Sequence, residues 1–181
     1  MSELIAFVFR DQYRAPEVLN ELRRRDWPWV KDLDDAVVIT LDQERRARVQ
    51  LTIDPGRSEA RGWARFWSSL LTRTLLFSLT EVMVGAAESL LSTNRLAPLS
   101  AEPIAETEEA SWWRESLQHS ENFPRDLGAL MVPKGSALFI LLRAETYPVV
   151  LKQLRNYGDT IIHTSVSSEQ DDKLRAMFAI S

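Results

Sequence analysis

The sequence has no cysteine and only two histidines, His119 and His163, among its 181 residues. The absence of cysteine excludes disulfide scaffolds, thiolate metal sites and cysteine nucleophiles. Two histidines are too few to form a cluster of imidazole ligands. No catalytic motif takes the place of these groups, so we predict no metal site and no cofactor, and we favour a non-enzymatic role.

An excess of charge of one sign is also lacking, because 22 Lys and Arg residues oppose 26 Asp and Glu residues and leave a net charge of −4. This balance excludes a strongly basic nucleic-acid-binding protein and an acidic disordered chain. The small sum conceals two opposed segments. Residues 43–73 hold seven arginines and three acidic residues, whereas residues 102–121 hold six glutamates and one arginine. We expect these two segments to attract each other.

Long hydrophobic runs are absent too. The longest stretch without Asp, Glu, Lys or Arg is nine residues, 160–168, whereas a membrane-spanning helix needs about 20 apolar residues. Charged residues interrupt the most hydrophobic region, 62–91, and the first residues carry no signal-peptide pattern. We therefore expect a cytoplasmic protein without a spanning helix, with peripheral contact at the inner face of the membrane as the alternative.

A weak internal repeat relates the two ends of the chain. Residues 5–10 (IAFVFR) precede a proline and the helical text VLNELR, and residues 138–143 (LFILLR) precede a proline and VLKQLR. Proline is favoured in the first helical turn, and the leucines recur at helical spacing. Each copy continues into a β-branched stretch, at 35–41 and at 159–166, which favours a strand. Each copy is therefore typical of a β-α-β unit.

The repeat predicts an α+β fold, a ferredoxin-like βαββ…βαβ sandwich with its helices on one face of a single sheet. The alternation at 49–53 predicts a third strand after a turn at 43–48. Residues 1–54 would form the first half of this core. Residues 135–181 would form the second half, with Gly158 ending its first helix and a second helix starting at Ser168.

Residues 55–134 lie between the two halves and are predicted to be a mainly helical insertion with an acidic loop. Apolar residues recur at helical spacing over 62–91, as one long helix or as a hairpin. Tryptophan is enriched at protein interfaces. We expect the insertion to present an interface that consists of Trp63, Phe66, Trp67, Leu70, Leu71, Trp112 and Trp113.

Three residues are candidates for binding a small anion. Arg10 and Arg143 are equivalent in the repeat, and each follows or ends a strand just before a helix, where anions can bind. His163 lies in the last predicted strand. The competing interpretation is that the arginines are surface residues that end their strands and that His163 is a half-exposed strand residue.

Residues 132–142 (VPKGSALFILL) resemble the PGSSALFVLVR text of domain-of-unknown-function family 1269. Residues 4–9, 66–71, 123–127 and 158–161 match that family in order and spacing. Its members are bacterial proteins that are often labelled predicted membrane proteins, and the family offers no catalytic residues to carry over. Its members typically have a glycine-rich, almost uncharged hairpin, whereas this chain has charges and few glycines there.

These patterns lead to one main functional hypothesis and two alternatives. The first is an interaction or assembly protein that forms a homo-oligomer, or binds a protein partner, through its sheet or its inserted helices. The alternatives are a protein that associates with a membrane surface without spanning it, and a sensor of a small anionic ligand. We expect no nucleic-acid partner.

Overall fold

The computed structural model describes residues 2–30, 36–51, 78–84, 122–158, 160–169 and 172. These residues form a mixed α+β structure, as the repeat predicts. The strands are β1 (Ser2–Phe9), β2 (Ala36–Leu41), β3 (Arg46–Leu51), β4 (Ser78–Val84), β5 (Ser136–Arg143) and β6 (Ile161–Val166). The helices are α1 (Arg14–Arg23), α2 (Phe123–Leu130) and α3 (Tyr147–Leu154), and a 3₁₀ turn over Arg155–Tyr157 follows α3.

The six strands form one sheet in the order β4-β3-β2-β5-β1-β6. Neighbours are antiparallel except β3 and β4, which are parallel. Helix α1 connects β1 to β2 across β5, and α3 connects β5 to β6 across β1. The two predicted β-α-β units are therefore present, and their strands alternate in the centre of the sheet.

The first face of the sheet packs against α1 and α3. Odd-numbered residues of β1 and even-numbered residues of β5 point to this face, where they meet the apolar sides of both helices. Trp29, in the connection between α1 and β2, also packs here and donates from Nε1 to Gln153 Oε1 on α3 at 2.6 Å. The buried cluster comprises Ile5, Phe7, Phe9, Ala15, Val18, Leu19, Leu22, Trp29, Val30, Ala36, Val38, Leu138, Ile140, Leu142, Val150 and Leu154.

The second face of the sheet is buried as well, which the prediction of helices on one face missed. Leu4, Ala6 and Phe139 point to it and are at most 3% exposed. Helix α2 contacts β1 and β6, and its fully buried Leu127 lies outside the first cluster, so we place α2 on this face. The repeat accounts only for α1 and α3. The nearly continuous apolar runs of β1 and β5 are the signal for burial on both faces.

A tight turn over residues 132–135 leads into β5, and its glycine has no room for a side chain. The Gly135 N–H donates to the Val132 carbonyl oxygen at 2.9 Å. A Cβ on Gly135 would lie 2.8 Å from that oxygen and 2.9 Å from the carbonyl oxygen of Phe9. Both contacts are with backbone atoms, so neither can move aside cheaply.

The next residue, Ser136, ties the start of α1 to β5. Its hydroxyl is fully buried, accepts a hydrogen bond from the Ala15 N–H at 3.1 Å and donates to the Asp11 carbonyl oxygen at 2.5 Å. The Gly-Ser pair that carried the family resemblance therefore has a structural role, because it fixes the end of β1, the start of α1 and the start of β5.

The hairpin between β2 and β3 turns over residues 42–45, a shorter turn than the predicted one at 43–48. The Asp42 carboxylate accepts hydrogen bonds from the N–H groups of Glu44 at 2.8 Å and Arg46 at 2.9 Å, and from Arg46 Nε at 2.8 Å. These bonds, the Arg46 N–H foremost, hold the pKa of Asp42 below its ordinary value. Because Asp42 fixes the turn, β3 begins at Arg46, three residues earlier than predicted.

Strand β4 corrects part of the predicted long helix. Residues 78–84 pair with β3 in parallel instead of continuing a helix through 62–91. Leu79, Val82 and Met83 fit helical spacing, but the segment is also rich in β-branched residues, and pairing with a neighbouring strand outweighs the local pattern. The rest of 55–134 before residue 122 lies outside the described residues, so the boundaries 1–54, 55–134 and 135–181 stay predictions.

Gly158 follows the turn after α3, but it does not end the helix in the predicted way. Its φ of 163° is extended backbone, not the left-handed cap that favours glycine. A Cβ here would lie 3.3 Å from the Phe7 ring and 3.5 Å from the Phe9 ring. Close approach to the core therefore explains this glycine. The predicted C-terminal helix lies mostly outside the described residues.

We predict that Gly135→Ala lowers the free energy of unfolding by about 1–3 kcal/mol, because the added methyl group overlaps two backbone oxygens. Gly128→Ala is the matched control, since that glycine lies in α2 with no atom within 4 Å of a new Cβ. Alanine there should stabilise the helix by about 0.5–1 kcal/mol. Urea unfolding followed by circular dichroism measures both changes, and equal effects at the two glycines would contradict the crowding at Gly135.

Candidate functional site

The sheet register separates the three residues predicted to bind an anion. Arg143 ends β5 opposite Ser2, whereas Arg10 follows the other end of β1. Seven residue steps of about 3.3 Å separate those two ends. His163 lies opposite Ile5, near the middle of β1. The structure therefore does not bring Arg10, Arg143 and His163 into one site, and a ligand for any one of them stays a prediction.

A different group of side chains surrounds His163. Glu3 lies opposite Ser165, and His163 lies opposite Ile5, so Glu3, His163 and Ser165 all point to the first face of the sheet. This is the face that α3 covers, and Tyr147, the first residue of α3, reaches the same place. We call Glu3, Tyr147, His163 and Ser165 the Glu3 cluster.

Glu3 is the centre of this cluster and the most buried of its polar groups. It is 8% exposed. Its Oε1 accepts a hydrogen bond from Ser165 Oγ at 2.7 Å, and its Oε2 lies 3.2 Å from His163 Nδ1. With the proton on Nδ1, the neutral imidazole donates to Glu3, and a protonated ring would form an ion pair with it. The His163 side chain is 49% exposed, so its other edge faces outward.

Tyr147 closes the inner side of the cluster. Its ring centre lies 4.9 Å from that of His163, and its ring packs against the first buried cluster. Burial raises the pKa of the Tyr147 phenol, the negative charge of Glu3 raises it further, and Arg155 opposes both effects. The cluster thus favours the neutral phenol of Tyr147.

The Glu3 cluster does not have the connectivity of a hydrolase triad. In such a triad the histidine bonds to the serine and removes its proton, and the acid orients the histidine. Here both Ser165 and His163 bond to Glu3, so the histidine is not placed to activate the serine. Among the described residues, no group of three or more His, Asp or Glu side chains is arranged to hold a metal ion. The geometry is that of a group of polar side chains that links β1 to β6 through hydrogen bonds.

A groove of about 490 Å³ runs beside β6, which is the outermost of the described strands on this side of the sheet. Five consecutive strand residues line it, so it follows the edge of the strand and not one face. Its other wall is the start of α2. The lining residues are Asn122, Phe123, Asp126, Ile161, Ile162, His163, Thr164 and Ser165.

The hydrogen bonds between β1 and β6 determine which backbone groups face this groove. The Val8 N–H donates to the Thr160 carbonyl oxygen at 3.0 Å, so that pair is a hydrogen-bonded pair of the ladder. Such pairs alternate with non-bonded pairs in antiparallel sheets. By the observed register, Ile161, His163 and Ser165 are in non-bonded pairs, and their N–H and C=O groups point away from β1 toward the groove.

The residues predicted as an interface, Trp63, Phe66, Trp67, Leu70, Leu71, Trp112 and Trp113, lie outside the described residues, and their role stays a prediction. The tryptophan pair that the structure does describe has a packing role. Trp27 and Trp29 stack with ring centres 5.8 Å apart, and the Arg25 guanidinium lies 5.7 Å from the Trp27 ring. Trp29 is buried and fastens the preceding loop to α3.

Comparison with known proteins adds one finding. Residues 115–179 match the family described as "Protein of unknown function (DUF1269)". The match confirms the predicted resemblance over about a third of the chain, a part that includes α2, β5, α3 and β6. No curated protein and no solved structure matches the sequence significantly. Within the described part of the chain, no helix has the length and apolar character to cross a membrane.

Sequence reasoning identified His163 but missed its partners Glu3, Ser165 and Tyr147. The sequence contains a signal for two of them, because alternate residues of a strand point to the same face of the sheet. Glu3 therefore shares a face with Ile5 on β1, and Ser165 shares a face with His163 on β6. Only the register shows that these two positions meet, and register depends on pairing between opposite ends of the chain.

We predict that the phenol of Tyr147 lowers stability in alkali. Its pKa is raised in the folded protein, so the unfolded chain releases this proton first, and stability falls as the pH rises above about 10. Tyr147→Phe should lessen that decline and should remove the last phenol to titrate in the absorbance near 295 nm. Tyr13→Phe, which changes an exposed phenol, is the control. A decline of unchanged steepness in Tyr147→Phe would contradict this assignment.

Proposed function

We propose that this protein is a non-enzymatic assembly protein that forms a homodimer by pairing β6 of one copy with β6 of a second copy. The observation that carries the proposal is the groove along the edge of β6, into which Ile161, His163 and Ser165 turn their backbone groups. In such a dimer the two sheets would continue into each other across an antiparallel seam.

We infer that the core that presents this strand is ferredoxin-like. The order β2-β5-β1-β6, with antiparallel neighbours and two helical connections that each skip one strand, supports this assignment. Strands β3 and β4 extend the sheet beyond β2. The edge next to β1 therefore belongs to the core, whereas the opposite edge belongs to the extension.

The composition of β6 favours pairing. Soluble proteins protect free strand edges with charged residues or proline, but β6 has neither and lies in the longest uncharged run of the chain, 160–168. It is rich in β-branched residues, and Ile161 and Ile162 are only half-buried. The other edge strand, β4, includes Glu81. An edge with β6's composition is suited to pairing.

A second copy of the chain is the occupant that the charges favour. A two-fold interface places the same surface of each copy against itself, so a strongly charged strand would repel its own symmetry mate. Strand β6 carries no charge at neutral pH apart from any on His163. Two such strands can therefore meet directly, and their outward N–H and C=O groups satisfy each other.

Two substitutions at Ser165 test this proposal. Ser165→Pro removes an N–H group that points into the groove, and proline is tolerated at such a position of an edge strand. We expect Ser165→Pro to raise the dimer dissociation constant at least about tenfold, because a hydrogen bond is lost on each side of the two-fold axis. Sedimentation velocity over a range of protein concentrations measures this constant.

Ser165→Ala is the matched control, because it loses the bond to Glu3 but keeps the backbone N–H. It should dimerise like the unchanged protein and lose about 0.5–1.5 kcal/mol of stability. Circular dichroism must show that both variants are folded. A monomeric unchanged protein, or equal dissociation constants for Pro and Ala at position 165, would overturn pairing through β6.

The other predicted contact surface is tested in the same experiment. Trp67→Glu places a charge in the predicted interface of the insertion. If this variant abolishes dimerisation and Ser165→Pro does not, the inserted segment is the interface and β6 is not. Flotation of the unchanged protein with anionic liposomes at low salt would instead support peripheral association with a membrane.

A further inference from the structure

We infer that His163 makes this assembly pH-sensitive, so that the β6 seam weakens in acid. The inference rests on the proposed homodimer and adds a regulatory role for one residue in its interface. His163 lies in the middle of β6, lines the groove and is half-exposed toward it. It is also bonded to the buried Glu3 of its own copy.

The position of His163 in the seam follows from the hydrogen-bond pattern. The backbone N–H and C=O groups that face outward from β6 belong to Ile161, His163 and Ser165. The hydrogen-bonded pairs between two copies of β6 must therefore join odd-numbered residues to odd-numbered residues. Two two-fold registers that meet this condition overlap five residues of β6. Only the one that pairs 161 with 165 and 163 with 163 joins all three outward-facing residues of each copy, so it forms the most hydrogen bonds. The two His163 side chains then lie opposite each other on the same face of the joined sheet.

Side chains directly opposite each other in a sheet have Cβ atoms about 4.5–5.5 Å apart, and like charges there are destabilising. Two neutral imidazoles can occupy these positions without repulsion. Histidine is the side chain that ordinarily changes charge between about pH 5 and 8. Protonation would therefore place two positive charges opposite each other at the centre of the seam.

Four charged or titratable groups of the same copy surround His163 or its contacts. Glu3 on β1 is the bonded carboxylate, and the ring of Tyr147 on α3 lies tilted against the imidazole with ring centres 4.9 Å apart. Asp126 on α2 lines the same groove, and Arg155 acts on Tyr147 from the turn after α3. Glu3 gives the charged imidazole a counter-ion inside each monomer. Protonation of His163 is thus compatible with its contact to Glu3 inside each copy, whereas it opposes pairing between copies.

The test compares the dimer dissociation constant of the full chain at about pH 8 and pH 5 by sedimentation velocity. For the unchanged protein we expect the constant to rise at least about tenfold on acidification, while circular dichroism shows no unfolding. His163→Gln keeps a polar side chain of similar length but cannot become charged. Its dissociation constant should be close to that of the unchanged protein at pH 8 and should change less than about twofold at pH 5.

His119→Gln is the matched control, because His119 is the only other histidine of the chain, and it should retain the full pH response. A monomer at pH 8 would overturn the dimer and this inference together. A dimer that Ser165→Pro disrupts but that does not respond to pH would overturn the role of His163 alone. The same holds if the response persists in His163→Gln or disappears in His119→Gln.

Discussion

The antiparallel pairing of β1 with β5 is the constraint on which the rest of the structure depends. Eight consecutive residue pairs, from Ser2 with Arg143 to Phe9 with Ser136, join the two ends of the chain. Each helical connection spans a strand of the other half, so neither half has a continuous sheet of its own. The core under α1 and α3 therefore forms only when residues more than 120 positions apart in the sequence have met. Such non-local pairing is a slow step in folding.

The same pairing explains why the loop before β5 is so restricted. The ends of β1 and β2, the start of α1 and the turn at 132–135 all meet where β5 begins. Because these elements converge, Gly135 has no space for a methyl group and the hydroxyl of Ser136 is buried. The Glu3 cluster lies near the other end of β1, where the Glu3 carboxylate bonds to two side chains of β6. Polar side chains thus fix β1 near both of its ends.

Much of this fold can be predicted from the sequence, because the repeat places a strand, a helix and a strand at each end of the chain. The sequence pattern alone does not determine tertiary choices between similar local patterns. The spacing of Leu79, Val82 and Met83 is compatible with a helix or a strand, and pairing with β3 determines that the segment is a strand. Gly158 suits a helix end, but in the structure its backbone is extended and lies close to the rings of Phe7 and Phe9. The sequence predicts that His163 lies in a strand, whereas its bond to Glu3 depends on the register between β1 and β6, which no local pattern contains.

The register between β1 and β5 also shows one advantage of having both copies of the repeat in a single chain. The repeat relates residue 6 to residue 139, and these two residues, Ala6 and Phe139, are directly opposite each other. They therefore lie on a local pseudo-two-fold axis between the two halves. Both are fully buried, and one is small where the other is large. A symmetric pair of separate half-chains would have to place two identical side chains there, either two alanines with a void or two phenylalanines in collision. Joining the halves in one chain removes that requirement and lets a complementary pair fill the centre of the sheet.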